Sequence, residues 1–169
     1  MSGRTRAIGM AIVACGVLMM VLPALPWYGA DLPTGSVSLS GYGAGGASWI
    51  LPVLGVALVV TGALAVWWSM PPGTRGARVI GGVTILWAVL GVAWAALVAL
   101  SPRVDVVAQR AGLPEAVVAG DWAVNVLPAA WACLAAAALA GMSGILLMTP
   151  RPGDVPADEA DPTLSADGP

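Results

Sequence analysis

The chain has 169 residues, of which 59% are hydrophobic and 9% charged, with a mean hydropathy of +0.88; soluble domains sit at about 45–50% apolar and about 25% charged. All seven basic residues are Arg, there is no His, and Cys15 and Cys133 stand alone in different apolar runs, which excludes imidazole ligation of haem or zinc and a Cys-x-x-Cys redox centre. Five of the nine acids lie after Pro152 in a chain of net charge −2, a balance that argues against nucleic acid as a partner.

Four runs, Ala7 to Leu25, Trp49 to Met70, Val79 to Leu100 and Val124 to Met148, contain no Asp, Glu, Lys, Arg or His. Each is about as long as a helix needs to be to cross roughly 30 Å of hydrocarbon. The expected fold class is all-α: a polytopic membrane protein built as an antiparallel four-transmembrane-helix bundle over residues 1–149, with residues 150–169 as an acidic, Pro-rich cytoplasmic tail too polar to offset its ordering entropy.

The first run follows Arg4 and Arg6. Ile12-Val13-Ala14-Cys15 has the form of a lipoprotein cleavage box, but apolar residues continue from Gly16 through Leu25, and Tyr28-Gly29-Ala30 puts a bulky ring where a signal peptidase wants a small residue. A retained helix is expected, ending near Pro23 and Pro26 because proline removes a backbone donor. A Gly- and Ser-rich loop follows. Within it Ser36-Val37-Ser38-Leu39-Ser40 alternates polar and apolar, which predicts a short extended segment, and the loop reads either as an external binding loop or as a hairpin-like connector.

Pro71 to Arg78 holds only a turn, so the second and third spans should be antiparallel neighbours. In the third connection Ser101 can cap a helix begun by Pro102, with Val104, Val107, Ala108 and Ala111 on one face and Gly112 as the stop. That pattern predicts a short amphipathic helix at the outer membrane surface, either a lid or a plain connector. Asp31, Asp105, Glu115 and Asp121 read as solvated loop charges or as the wall of an outer vestibule.

Five Arg (4, 6, 75, 78 and 151) flank the spans on one side and two (103 and 110) on the other. Basic residues in short loops stay inside, so the predicted location is the cell (plasma) membrane, multi-pass, with both termini cytoplasmic. Trp27, Trp49, Trp67, Trp68 and Trp122 stand at the span boundaries, where tryptophan favours the interface.

Small residues recur every four positions at Ala132, Ala136, Ala140 and Gly144, and at Gly91, Ala95 and Ala99, while Gly55 and Gly62 are seven apart. Such rows let helix backbones approach closely. Trp87 and Trp94, also seven apart, stack on one side of the third span near mid-membrane; together with Asp121 and Asn125 at the outer boundary they form a candidate pocket. The alternative is that both indoles pack against small-residue faces. Thr61, Thr84 and Ser143 can bond to their own helices.

Leu25-Pro26-Trp27-Tyr28 at the end of the first span, followed by Ser40-Gly41-Tyr42-Gly43-Ala44 before the second, resembles a group of small four-span actinobacterial membrane proteins, and in particular the tryptophan-biosynthesis-associated membrane protein family, known from proximity to tryptophan operons. The Ala-, Gly-, Val- and Arg-rich composition without Lys is similar to that of a high-GC bacterial proteome. The resemblance implies no catalytic residues. No enzyme activity and no cofactor are expected. The leading reading is a non-catalytic accessory or scaffold subunit whose partners are the lipid bilayer and another membrane protein or a second copy. From a different class, a small carrier or accessory permease for an aromatic or apolar solute is the alternative, motivated by Trp87 and Trp94.

Overall fold

The computed structural model describes residues 3–32, 35–43, 49–68, 72–100, 109 and 124–149. Four long helices dominate: α1 (Gly3–Val21), α2 (Ile50–Trp68), α3 (Arg75–Leu100) and α4 (Pro128–Met148). Each is long and apolar enough to cross a membrane. At 1.5 Å per residue, the 19 residues of α2 extend about 28 Å and the 26 of α3 about 39 Å.

Three span boundaries move for identifiable reasons. Helix α1 takes in Arg4 and Arg6 and gives way at Leu22–Ala24 to a 3-10 turn containing Pro23. Helix α3 begins at Arg75 rather than Val79 because the Thr74 hydroxyl accepts a hydrogen bond from the Ala77 N–H at 3.3 Å, an N-cap at the expected spacing. Before it Gly73 has φ 85°, a left-handed turn that glycine adopts without a Cβ penalty. Helix α4 starts at Pro128 rather than Val124, with extended Leu127 ahead of it and the proline where a missing N–H costs nothing.

The residues just before α4 belong instead to a small antiparallel sheet, which the all-α expectation did not contain. Strand β1 (Pro26–Leu32) lies between β2 (Gly35–Ser40) and β3 (Val124–Val126). Tyr28 is opposite Leu39 on one side and Val126 on the other. The expected extended segment at Ser36 to Ser40 is therefore β2. Strands β1 and β3 draw on aromatic and β-branched residues, Trp27, Tyr28, Val124 and Val126, which fit a half-buried pleated surface. The predicted outer helix at Pro102 to Gly112, Gln109 apart, and the acidic tail lie outside the described residues.

The helices pair in two antiparallel couples. A Cβ built on Gly16 would meet the Gly55 carbonyl oxygen at 2.6 Å, and one on Gly62 the Gly9 oxygen at 2.8 Å, so α1 and α2 touch backbone to backbone in opposite directions. Helices α3 and α4 do the same at Gly81 and Gly144, where the corresponding approach is 2.7 Å. Further contacts join α1 to α4 and α2 to α3. Lipid offers no hydrophobic drive between helices, so such close van der Waals contact is what an apolar chain can use. The predicted faces largely hold: Gly91, Ala95, Ala99, Ala136, Ala140 and Gly144 are buried, whereas Ala132 is exposed. Gly55 and Gly62 join the interior against α1, through Gly9 and Gly16, which have the same spacing of seven.

Outside, the pattern of a water-soluble protein is reversed. Val17, Val53, Val60, Leu86, Leu97 and Ile145 are all exposed, while small residues fill much of the interior.

Candidate functional site

Two features carry the structure's chemical detail: a cap at the sheet end of the helices and a groove along α3 and α4. The cap begins with a problem of helix ends. The last four carbonyls of a helix have no donor within it, and neither α1 nor α3 has a basic residue in its last turn. Aromatic residues supply donors there. The Tyr28 hydroxyl donates to the Val98 carbonyl near the end of α3, the Tyr42 hydroxyl donates to Met20 O in the last turn of α1 at 2.9 Å, and Trp27 Nε1 donates to Leu22 O at 2.8 Å.

The chain closes around these contacts. The Tyr42 N–H donates to Pro23 O at 3.1 Å, the Gly43 N–H to the Ser40 hydroxyl at 3.0 Å, and the Leu127 N–H to Trp27 O at 2.7 Å. Gly41 lies so close beneath the Trp27 ring that a Cβ there would come within 2.9 Å of Cδ2. Trp27 is 0% exposed. The sequence position of Trp27 suggested an interfacial marker; the sheet instead folds over it and makes it the centre of the cap. Burial pushes the Tyr28 hydroxyl above its ordinary pKa.

Thus the two short segments quoted for the family resemblance, Leu25 to Tyr28 and Ser40 to Gly43, form a single structural unit. Pro26 pairs with Ser40, and the Gly41 N–H donates to Leu25 O at 3.4 Å. The reading of the loop as a hairpin-like connector fits this geometry.

The candidate pocket residues are spread along the molecule. Trp87 and Trp94 are partly buried and pack against the core cluster. Trp94 is one turn from Val98, whereas Trp87 lies about 16 Å down the α3 axis from it. Asn125 is exposed on β3, paired with Gly29. Asp121 lies outside the described residues, as do Asp105 and Glu115. The polar residues of the spans close onto their own helices as expected: Thr61 donates to Ala57 O at 2.9 Å, Thr84 to Ile80 O at 2.8 Å and Ser143 to Leu139 O at 2.9 Å. Among the described residues no group of three His, Cys, Asp or Glu side chains is placed to hold a metal ion.

The groove was not foreseen. It is an open cleft of about 410 Å³ between α3 and α4, floored by buried Ala88 and Ala137 and walled by Val89, Ala93, Met142 and Ile145. Neither Trp87 nor Trp94 lines it. Its sequence signal was present in the small residues Ala88, Ala137, Ala138 and Gly141, which leave a hollow between larger side chains, but a hollow needs the pairing of two helices before it can be seen. Comparison with protein families, curated proteins and solved structures found no match to this chain.

Proposed function

We propose that this chain is a multi-pass protein of the cell membrane, with both termini cytoplasmic, that works as a non-catalytic accessory or scaffold subunit through helix contacts with another membrane protein or a second copy. The membrane reading is supported by four apolar helices, each with a row of exposed large apolar side chains. In water those surfaces would be far larger than the apolar patches that soluble monomers tolerate. In the proposed orientation Arg4, Arg6, Arg75 and Arg78 share the cytoplasmic end, and the sheet cap faces outside.

The observation that carries the scaffold reading is the groove. Small side chains at its floor and exposed apolar walls give a surface of the kind on which membrane helices pack closely. The hydroxyls of Thr61, Thr84 and Ser143 are engaged with their own backbones and offer little to a hydrophilic solute. A photo-crosslinking side chain in place of Met142 tests this in cells: a discrete, reproducible adduct is expected, and recovery of monomer alone argues against the reading.

The carrier reading also has an observation in its favour. About 410 Å³ is in the range of small-molecule sites, roughly 300–1,000 Å³, and the walls suit an apolar ligand. Tryptophan-fluorescence titration with aromatic solutes, compared between wild type and Ala137→Leu, would separate the two. A carrier requires a response that the filled groove loses. The resemblance to tryptophan-biosynthesis-associated membrane proteins is part of the same proposal and rests on the two quoted sequence segments alone.

A further inference from the structure

Four guanidinium groups gather at the end of the bundle opposite the sheet, Arg4 and Arg6 from the start of α1 and Arg75 and Arg78 from the start of α3. Among the described residues no carboxylate shares that end: Asp31, the one acid described, lies in β1. Arg6, Arg75 and Arg78 are exposed, and water can solvate them. Arg4 differs. The residue is partly exposed, but its Nη1 is buried and, among the described residues, has no hydrogen-bond partner; the neighbouring Thr5 is buried.

A guanidinium group keeps its charge when part of it is buried. A buried, charged donor left unpaired is among the more costly arrangements in a protein. The position therefore calls for an acceptor, and the planar fork of Arg matches a phosphate or carboxylate. Which anion follows from the level of the residue. Gly9 faces Gly62 and Val66, so Arg4, five residues nearer the helix start, lies level with the end of α2. There Trp67 and Trp68 project outward, 84% and 55% exposed. Tryptophan exposed at a span end marks the lipid headgroup region. The first peptide N–H groups of α1 and α3 point the same way and favour negative charge.

We propose that Arg4 holds the phosphate of an anionic lipid headgroup at the arginine end of the bundle. The inference rests on the membrane reading above. Arg4 supplies the directed contact, and Arg6, Arg75 and Arg78 supply a diffuse field that prefers a lipid with net negative charge.

Native mass spectrometry of the full chain in mild detergent, titrated with phosphatidylglycerol or phosphatidylcholine, tests it. Phosphatidylglycerol should bind in preference. Arg4→Gln should raise its half-saturation concentration about tenfold, the loss expected for a charge-assisted hydrogen bond, while Arg6→Gln stays within about twofold. Should Arg4→Gln fail to fold, Arg4→Lys keeps the charge without the fork and should still weaken phosphatidylglycerol binding more than Arg6→Gln does. Equal effects at positions 4 and 6 would overturn the proposal, leaving only general charge attraction. So would displacement of the lipid by millimolar inorganic phosphate, which would identify a free-phosphate site. A third contrary result is tight binding that appears only after residues 150–169 are removed, since a carboxylate of the chain would then be the occupant. Carbonate washing of membranes separates this proposal from its premise: a chain that stays in the membrane but shows no lipid preference refutes the headgroup site alone, whereas a chain released into the wash refutes the membrane reading.

Discussion

Tyr28 joins parts of the chain 70 residues apart, because its hydroxyl donates to the Val98 carbonyl while its backbone is held at the centre of the sheet. Tyr28→Phe keeps the ring and removes one hydrogen bond, so it should cost about 1 kcal/mol, read as a lower melting temperature in detergent. Burial of the same hydroxyl gives a pH dependence. The folded state raises the Tyr28 pKa above its ordinary value of 10.0, so this contribution is fully present below pH 10 and declines as the pH rises towards and through the folded value. Above about pH 10 wild type should lose stability more steeply than Tyr28→Phe; parallel pH profiles would remove Tyr28 as the cause. At Gly41 the limit is space. Gly41→Ala puts a methyl group 2.9 Å from Trp27 Cδ2 and 3.1 Å from Pro23 O, overpacking that should cost about 1–3 kcal/mol.

At the level of the helices, glycine position decides the outcome of an identical substitution. Gly16→Ala drives a methyl into the Gly55 carbonyl at 2.6 Å, and backbone cannot rotate away as a flexible side chain can. Helices α1 and α2 must separate, so a marked loss of thermal stability is expected. Gly82→Ala meets nothing within 4 Å and should be neutral or gain up to about 1 kcal/mol from helix propensity. Melting curves that rank the two alike would show that the interhelical approach is not what stabilises the fold. The helices themselves were legible because charge-free runs of this length leave few alternatives. Strand β2 was legible from the alternation in Ser36 to Ser40. Strands β1 and β3 were not: Trp27 and Tyr28 looked like the aromatic fringe of a span, and Val124 to Val126 is as free of charge as the helix it precedes. Their pairing joins segments almost a hundred residues apart, and no local pattern encodes it. The groove was hidden for the same reason, while the isolated charge at Arg4 was visible only as one basic residue among several.

The arrangement of the whole molecule places the two chemical extremes at opposite ends. Helices α1 and α3 start together and carry four Arg, and both finish at the sheet, where tyrosine and tryptophan side chains satisfy carbonyls of α3, α1 and the turn that follows it. A chain threaded by its basic ends would keep the end richer in Arg inside; Arg103 and Arg110 lie on the other side, where neutral hydroxyl and indole donors meet the carbonyls. The division of labour is consistent with the proposed topology and makes it testable. Cys15 and Cys133 are both buried, so background labelling by a membrane-impermeant maleimide should be low. Ser36→Cys puts a thiol on the exposed face of β2, and Gly3→Cys puts one at the start of α1, where nothing lies within 4 Å of the added Cβ. In intact cells Ser36→Cys should label and Gly3→Cys should not, with Gly3→Cys labelling only after permeabilisation. The reverse pattern would invert the orientation and with it the leaflet in which Arg4 meets lipid. Equal labelling of both in intact cells would mean that the two ends are not separated by a bilayer, and the four apolar helices would then require burial against something other than lipid.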